Sequence, residues 1–192
     1  MDSIVEGLMK QLVSGDNLSL MSNKVGADDK STKSALEMGL PLLLGAMKIN
    51  ASKPEGANAI MNGLAQMGSN NPMDSMASYM SSPGSSQGTD MLSSVLGSSL
   101  QPIEQAISKS TGMPPAVVAK VLAMALPLVL GSLSKNSPKQ NMGSGDLSKL
   151  LGEQSKMAMS ASPDAAGVMK ELFASQQGGG GLTGLLKKFM KS

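Results

Sequence analysis

Leu36-Glu-Met-Gly-Leu-Pro-Leu-Leu-Leu-Gly45 decides the fold, because the chain holds it twice. Leu122-Ala-Met-Ala-Leu-Pro-Leu-Val-Leu-Gly131 repeats its skeleton, Leu-x-Met-x-Leu-Pro-Leu-x-Leu-Gly, 86 positions later. The same offset keeps an ungapped match from Ser22/Ser108 to Asn50/Asn136, with Gly26 on Gly112 and Met38 on Met124. Glycines, prolines and apolar positions agreeing together argue for duplication rather than shared composition. Each run is apolar almost all round a helix, a pattern that calls for burial on most sides. A proline inside a helix costs about 3 kcal/mol, through its missing N–H and a clash with the carbonyl four residues back. Each buried Leu or Met returns roughly 1.5–3 kcal/mol. Burial wins, and the helices are expected to bend at Pro41 and Pro127 rather than end there. Asp28 and Asp29 suit the start of the first helix, and Pro114 and Pro115 the first turn of the second.

Pro41 and Gly45 lie four residues apart, as do Pro127 and Gly131, so each pair shares a helix face. A face without side-chain bulk admits another backbone. These four residues are therefore candidate interaction positions, where the two copies, or two subunits, cross. The plainer alternative is that the glycines relieve crowding in an ordinary core.

Working outward, Ser3-x-x-Glu6 has the form of a capping box before an amphipathic helix over 3–13. A short helix at 18–24 leads into the first repeat. After a loop at 50–53, Pro54 opens a helix to Met67. Gly68 to Gln87 reads as a Ser/Gly/Asn-rich linker. It carries Met73, Met76 and Met80 at the spacing of one side of a short helix. Methionine thioethers can bind copper(I), but with no His or Cys beside them a small packed helix is the better reading. Thr89-Asp90 caps the opening of the second copy, followed by helices at 102–110 and 146–152. Ser162-Pro163-Asp164 starts a further helix to about Ser175. Gly178 to Gly181 forms a tether. Beyond it Leu182, Leu185, Leu186, Phe189 and Met190 form an apolar face opposite Lys187, Lys188 and Lys191. So short a helix is marginal alone and needs a surface, whether its own fold, another subunit or an anionic membrane. The resulting division is 1–68 and 89–154 as the two repeats, 69–88 as linker, and 155–192 as C-terminal helix, tether and tail.

Gly26-Ala-Asp-Asp-Lys-Ser-Thr32, Ala35 to Ala46 and Ala51-Ser-Lys-Pro-Glu-Gly-Ala57 together resemble the YidB-like bacterial family (DUF937), a domain of unknown function. The second copy resembles it through Ala119 to Leu133 and Asp146-Leu-Ser-Lys-Leu-Leu-Gly152, so the likeness covers most of residues 3–152 as two tandem copies. It implies an all-helical fold and a bacterial origin, with no assigned activity and no catalytic residues to carry over. Some relatives add a peptidoglycan-binding module, and no such module is visible here.

Composition removes several function classes. The 192 residues include 18 Met, two Phe, one Tyr and no Trp, so the core must be aliphatic and methionine-rich. A repeat of about 65 residues is near the lower limit for folding alone, which favours a shared core. His and Cys are absent. Structural zinc, haem ligation by His or Cys, disulfides and Cys/His nucleophile–base pairs go with them. All 16 basic residues are Lys and the net charge is +2. That leaves no guanidinium fork and no basic stripe for nucleic acid. Asp28-Asp29 is explained by capping, and no spacing singles out a Ser–Lys pair. Ala116 to Ser134 is the nearest approach to a membrane span, but Lys33, Glu37 and Lys48 in the matching helix speak against one. No secretory signal is apparent, and the expected location is cytoplasmic. The expectation is thus an all-α tandem duplication: two Pro-kinked buried helices, plus an amphipathic C-terminal helix on a glycine tether. It acts without enzymatic chemistry, cofactor, metal, nucleic acid or small-molecule substrate, as a homo-oligomer or binder of a protein partner. Peripheral membrane attachment through residues 182–190 is the alternative.

Overall fold

The two long repeats form the two long central helices. In the computed structural model, whose described residues are 4–14, 16–69, 71–81, 86–136 and 143–177, helix α3 spans Asp29–Ala51 and helix α8 spans Pro115–Asn136. Both run on through their prolines, and Pro41 and Pro127 are buried. Asp28 caps α3 from an extended backbone, its carboxylate accepting the Ser31 N–H at 2.8 Å. Among the described residues all regular structure is helical.

Before α3 come α1 (Ile4–Val13) and α2 (Asn17–Val25), and after it α4 (Pro54–Ser69). Before α8 come α6 (Ser86–Leu96) and α7 (Leu100–Thr111), and after it α9 (Ser144–Ala161). The two halves thus present helices in the same order. Their junctions match in detail as well. Gly26 ends α2 at φ 79° and Gly112 ends α7 at φ 73°, and their N–H groups donate to Ser22 and Ser108 carbonyls at 3.0 and 2.9 Å. A left-handed residue closing the last turn is the usual work of glycine, which has no Cβ to strain.

The halves do not have separate cores. One apolar cluster takes in Leu8 and Leu12 of α1, Leu40 to Leu44 of α3, Leu126 to Leu130 of α8 and Leu147 and Leu151 of α9. Helix α3 packs on α8 and α9 from the other half as well as on α4. Gln154 of α9 accepts the Ile4 N–H at 3.1 Å, tying the start of α1 to the far half. The burial of α8 also decides how its composition is read. Its length and apolarity suffice to cross a membrane, yet 78% of its most apolar window is buried inside the fold.

The stretch expected as a linker is, over 71–81, a packed strap. A 3-10 turn (Pro72–Asp74) and the short helix α5 (Met76–Ser81) lie in it, with Met80 buried. The strap serves α8 around its proline. Pro127 lacks an N–H, so the Ala123 carbonyl loses its helical donor. Gly88 presses on that carbonyl, and a Cβ there would stand 2.7 Å from the oxygen. The Tyr79 hydroxyl donates to the next carbonyl, Met124, at 3.2 Å. Further along, the Asn71 amide donates to the Gly131 carbonyl at 3.0 Å, and Lys135 pairs with Asp74. Burial pushes the Tyr79 phenol up to about 12. Two boundaries also differ from the sequence reading. Helix α6 starts at Ser86, ahead of the Thr89-Asp90 cap, and α9 runs on to Ala161 rather than stopping near Gly152. Helix α10 (Pro163–Gln177) starts at the expected proline.

Candidate functional site

Gly45 and Gly131, two of the four positions singled out on the core helices, do not face each other. Gly45 faces Met159 of α9 and Met169 of α10, and a Cβ on it would overlap the Met169 methyl. Gly131 faces Asn71 and Met73 of the strap. Each small-residue notch is thus filled from a segment beyond the ungapped repeat, by Met159 and Met169 at Gly45 and by Asn71 and Met73 at Gly131, in place of the expected crossing of the two copies. Helices α3 and α8 meet instead at Gly39, where a Cβ would stand 2.9 Å from a Leu122 methyl and 3.5 Å from Ile107. Spacing along a helix identified the bare face but not its cover. Side chains arriving from α10 and from residues 71–73 supply that cover, and no local pattern encodes them.

Residues Leu182, Leu185, Leu186, Phe189 and Met190, the other interaction candidates, lie outside the described residues. The body they follow offers little apolar surface. Among the described residues the exposed large hydrophobic side chain is Val13, at 42%. The apolar face of α1 docks inside, with Ile4, Val5, Leu8 and Leu12 buried, and so does that of α6, with Leu92, Val95 and Leu96 buried.

One cleft was not anticipated. The α2–α3 and α7–α8 junctions lie side by side and enclose about 610 Å³ between Gly26, Ala27 and Asp28 on one wall and Gly112, Met113 and Pro114 on the other. These are matched positions of the repeat, so the pairing of Gly26 with Gly112 was the signal available in the sequence. Much of the cleft's polarity is spent on helix ends. The Ser22 hydroxyl donates to the Leu18 carbonyl and Thr111 to the Ile107 carbonyl. The Asp28 carboxylate is held below the usual range by the Ser31 N–H. Beside the cleft, Asp29 is lowered by the Ser19 hydroxyl, which donates to it at 2.6 Å. Each carboxylate is thus engaged by a donor of its own helix start or of α2. Among the described residues no group of three or more acidic side chains is placed to hold a metal ion.

Compared with known proteins, the chain matches the profile of a family described as bacterial protein of unknown function (DUF937) over residues 7–136. No curated protein and no solved structure matches it. The matched span runs unbroken from α1 to the end of α8, so it takes in both central helices and the strap between them. Covering two thirds of the sequence, it shows that the chain belongs to the DUF937 family of bacterial proteins of unknown function.

Proposed function

We propose that this is a non-enzymatic interaction protein, built on two tandem copies of the YidB-like unit with bent central helices, that self-associates or holds a protein partner. The apolar face of residues 182–190 makes the contact. What carries this reading is a contrast within one chain. The described body keeps its apolar side chains inside, with Val13 the large exception, while the last segment places five apolar residues on one side of a helical pattern. A segment so patterned is stable only against another surface. Sequence chemistry supports the non-enzymatic half of the reading, since a chain without His or Cys lacks the commonest bases and nucleophiles. A peripheral membrane role is the second reading, favoured by Lys187, Lys188 and Lys191 opposite the apolar face. Three lysines and five apolar residues would give weak, reversible attachment.

Light scattering of the purified chain, with and without anionic liposomes, separates the two. A defined oligomer indifferent to lipid, reduced to monomer by truncation after residue 177, is the expected result. A monomer that floats with the liposomes establishes the membrane reading instead. A monomer that ignores lipid and stays unchanged on truncation overturns both self-association and the membrane reading.

A further inference from the structure

Among the described residues, helix α10 meets the body through a small apolar contact that includes Met169 and the half-buried Val168. Of its described side chains, Ala165 and Met169 are buried, and alanine offers a single methyl. Met169 sets its methyl and sulfur into the notch at Gly45, where a Cβ would stand 3.0 Å from the sulfur. The Met159 methyl, from α9, reaches the same notch, at 2.9 Å from that Cβ position. Among the described residues the ion pairs are Glu6–Lys10, Lys33–Glu37 and Asp74–Lys135, none of them on α10. Met169 is 4% exposed and Met159 is half-buried, so of the two Met159 is the one with surface open to a small oxidant.

We infer that Met159 and Met169 form an oxidative modification site, a two-methionine latch over Gly45 that a hydroperoxide opens by converting the thioethers to sulfoxides. The sulfur lone pair attacks the outer peroxide oxygen, the O–O bond breaks and an S–O bond forms. Sulfur is oxidised by two electrons, and the departing oxygen takes the proton of the attacked oxygen and leaves as an alcohol, or as water when the oxidant is hydrogen peroxide. The product is a polar, chiral group in place of a flexible apolar one. In the notch its oxygen gives up water for apolar neighbours, and it adds volume where a single Cβ already overlaps. The favoured state is therefore one with α10 lifted from α3, whatever the protein's partner proves to be. Methionine sulfoxide reductases reverse the chemistry, so the latch can reset.

The test is graded hydrogen peroxide treatment of the full chain. Mass spectrometry locates each added oxygen, and amide exchange is followed over residues 163–171. Once both residues carry oxygen, α10 amides are expected to exchange about tenfold faster or more while α8 keeps its protection. A double variant, Met159→Leu with Met169→Leu, fills the notch at similar volume without an oxidisable sulfur and should keep α10 protected in peroxide. Should that variant not hold α10 before treatment, Gly45→Ala serves: its Cβ displaces the Met169 methyl and should speed α10 exchange without any oxidant. Unchanged exchange in the doubly oxidised protein overturns the proposal. So does equal acceleration in the leucine variant, a Gly45→Ala protein with α10 fully protected, or sulfoxide that forms at other methionines and never at these two.

Discussion

Single residues here do sharply different work even where the residue type is the same. At Gly88 a Cβ would stand 2.7 Å from the Ala123 carbonyl oxygen, a backbone atom with little freedom to move. Gly88→Ala is expected to destabilise by about 1–3 kcal/mol. Gly167 sits inside α10 with nothing within 4 Å of its Cβ position, so Gly167→Ala is expected to stabilise by roughly 0.5–1 kcal/mol. Thermal denaturation of the two variants should move in opposite directions. Asp28 gives a pH-dependent case. Its carboxyl is held below the ordinary 3.8, first by the Ser31 N–H, so the folded state binds fewer protons there than the unfolded chain. The cap's contribution is present above that value and lost as pH falls through and below it. The melting temperature of Asp28→Ala should lie below wild type at neutral pH, and the gap should close on acidification. Asp28 as a cap was legible in the sequence, because a cap depends only on its own next three residues. The role of Gly88 was not, since it depends on a carbonyl freed by Pro127 far along the chain.

Among elements, the strap at 71–81 and its hold on α8 produce the clearest expectations. Tyr79→Phe removes the donor to the Met124 carbonyl and should cost about 1 kcal/mol in urea unfolding. Lys135→Ala should cost less, since its pair with Asp74 is well exposed to water. The phenol also sets an alkaline limit. With Tyr79 raised from 10.0 to about 12, the folded state holds a proton that the unfolded chain has released, so stability falls as pH rises across that window. The chain has one tyrosine, so Tyr79→Phe should flatten this part of the pH dependence relative to wild type. The helices at 4–13, 29–51 and 115–136 were readable because apolar period and capping are local. A stretch rich in Ser, Gly and Asn reads as a spacer for the same reason: its amide and hydroxyl donors look unengaged until α8 is folded beside them. The length of α9 escaped notice because the fully buried positions in its later turns are Ser155 and Ala158, which carry little apolar signal.

At the scale of the molecule, one core spanning both halves means one cooperative unit. Residues 1–81 and 86–177, expressed apart, should lack fixed tertiary structure, and the intact chain should unfold in a single transition by circular dichroism and by tyrosine fluorescence. Two separately folded halves would show as dispersed amide spectra for each fragment. An all-helical fold with a shared core followed from the chain's length, its aliphatic content and the doubled Leu-Pro-Leu motif. The side-by-side junctions did not, because matched sequence at two places leaves open how those places sit relative to each other. The interleaving of the halves also bears on synthesis. Helix α3 packs on α8 and α9 as well as on earlier helices, so part of its apolar surface stays bare until about 110 more residues have followed. At bacterial elongation rates that wait lasts roughly 5–20 s. For that interval the nascent chain presents exposed apolar surface of the kind that makes unfinished chains prone to aggregate.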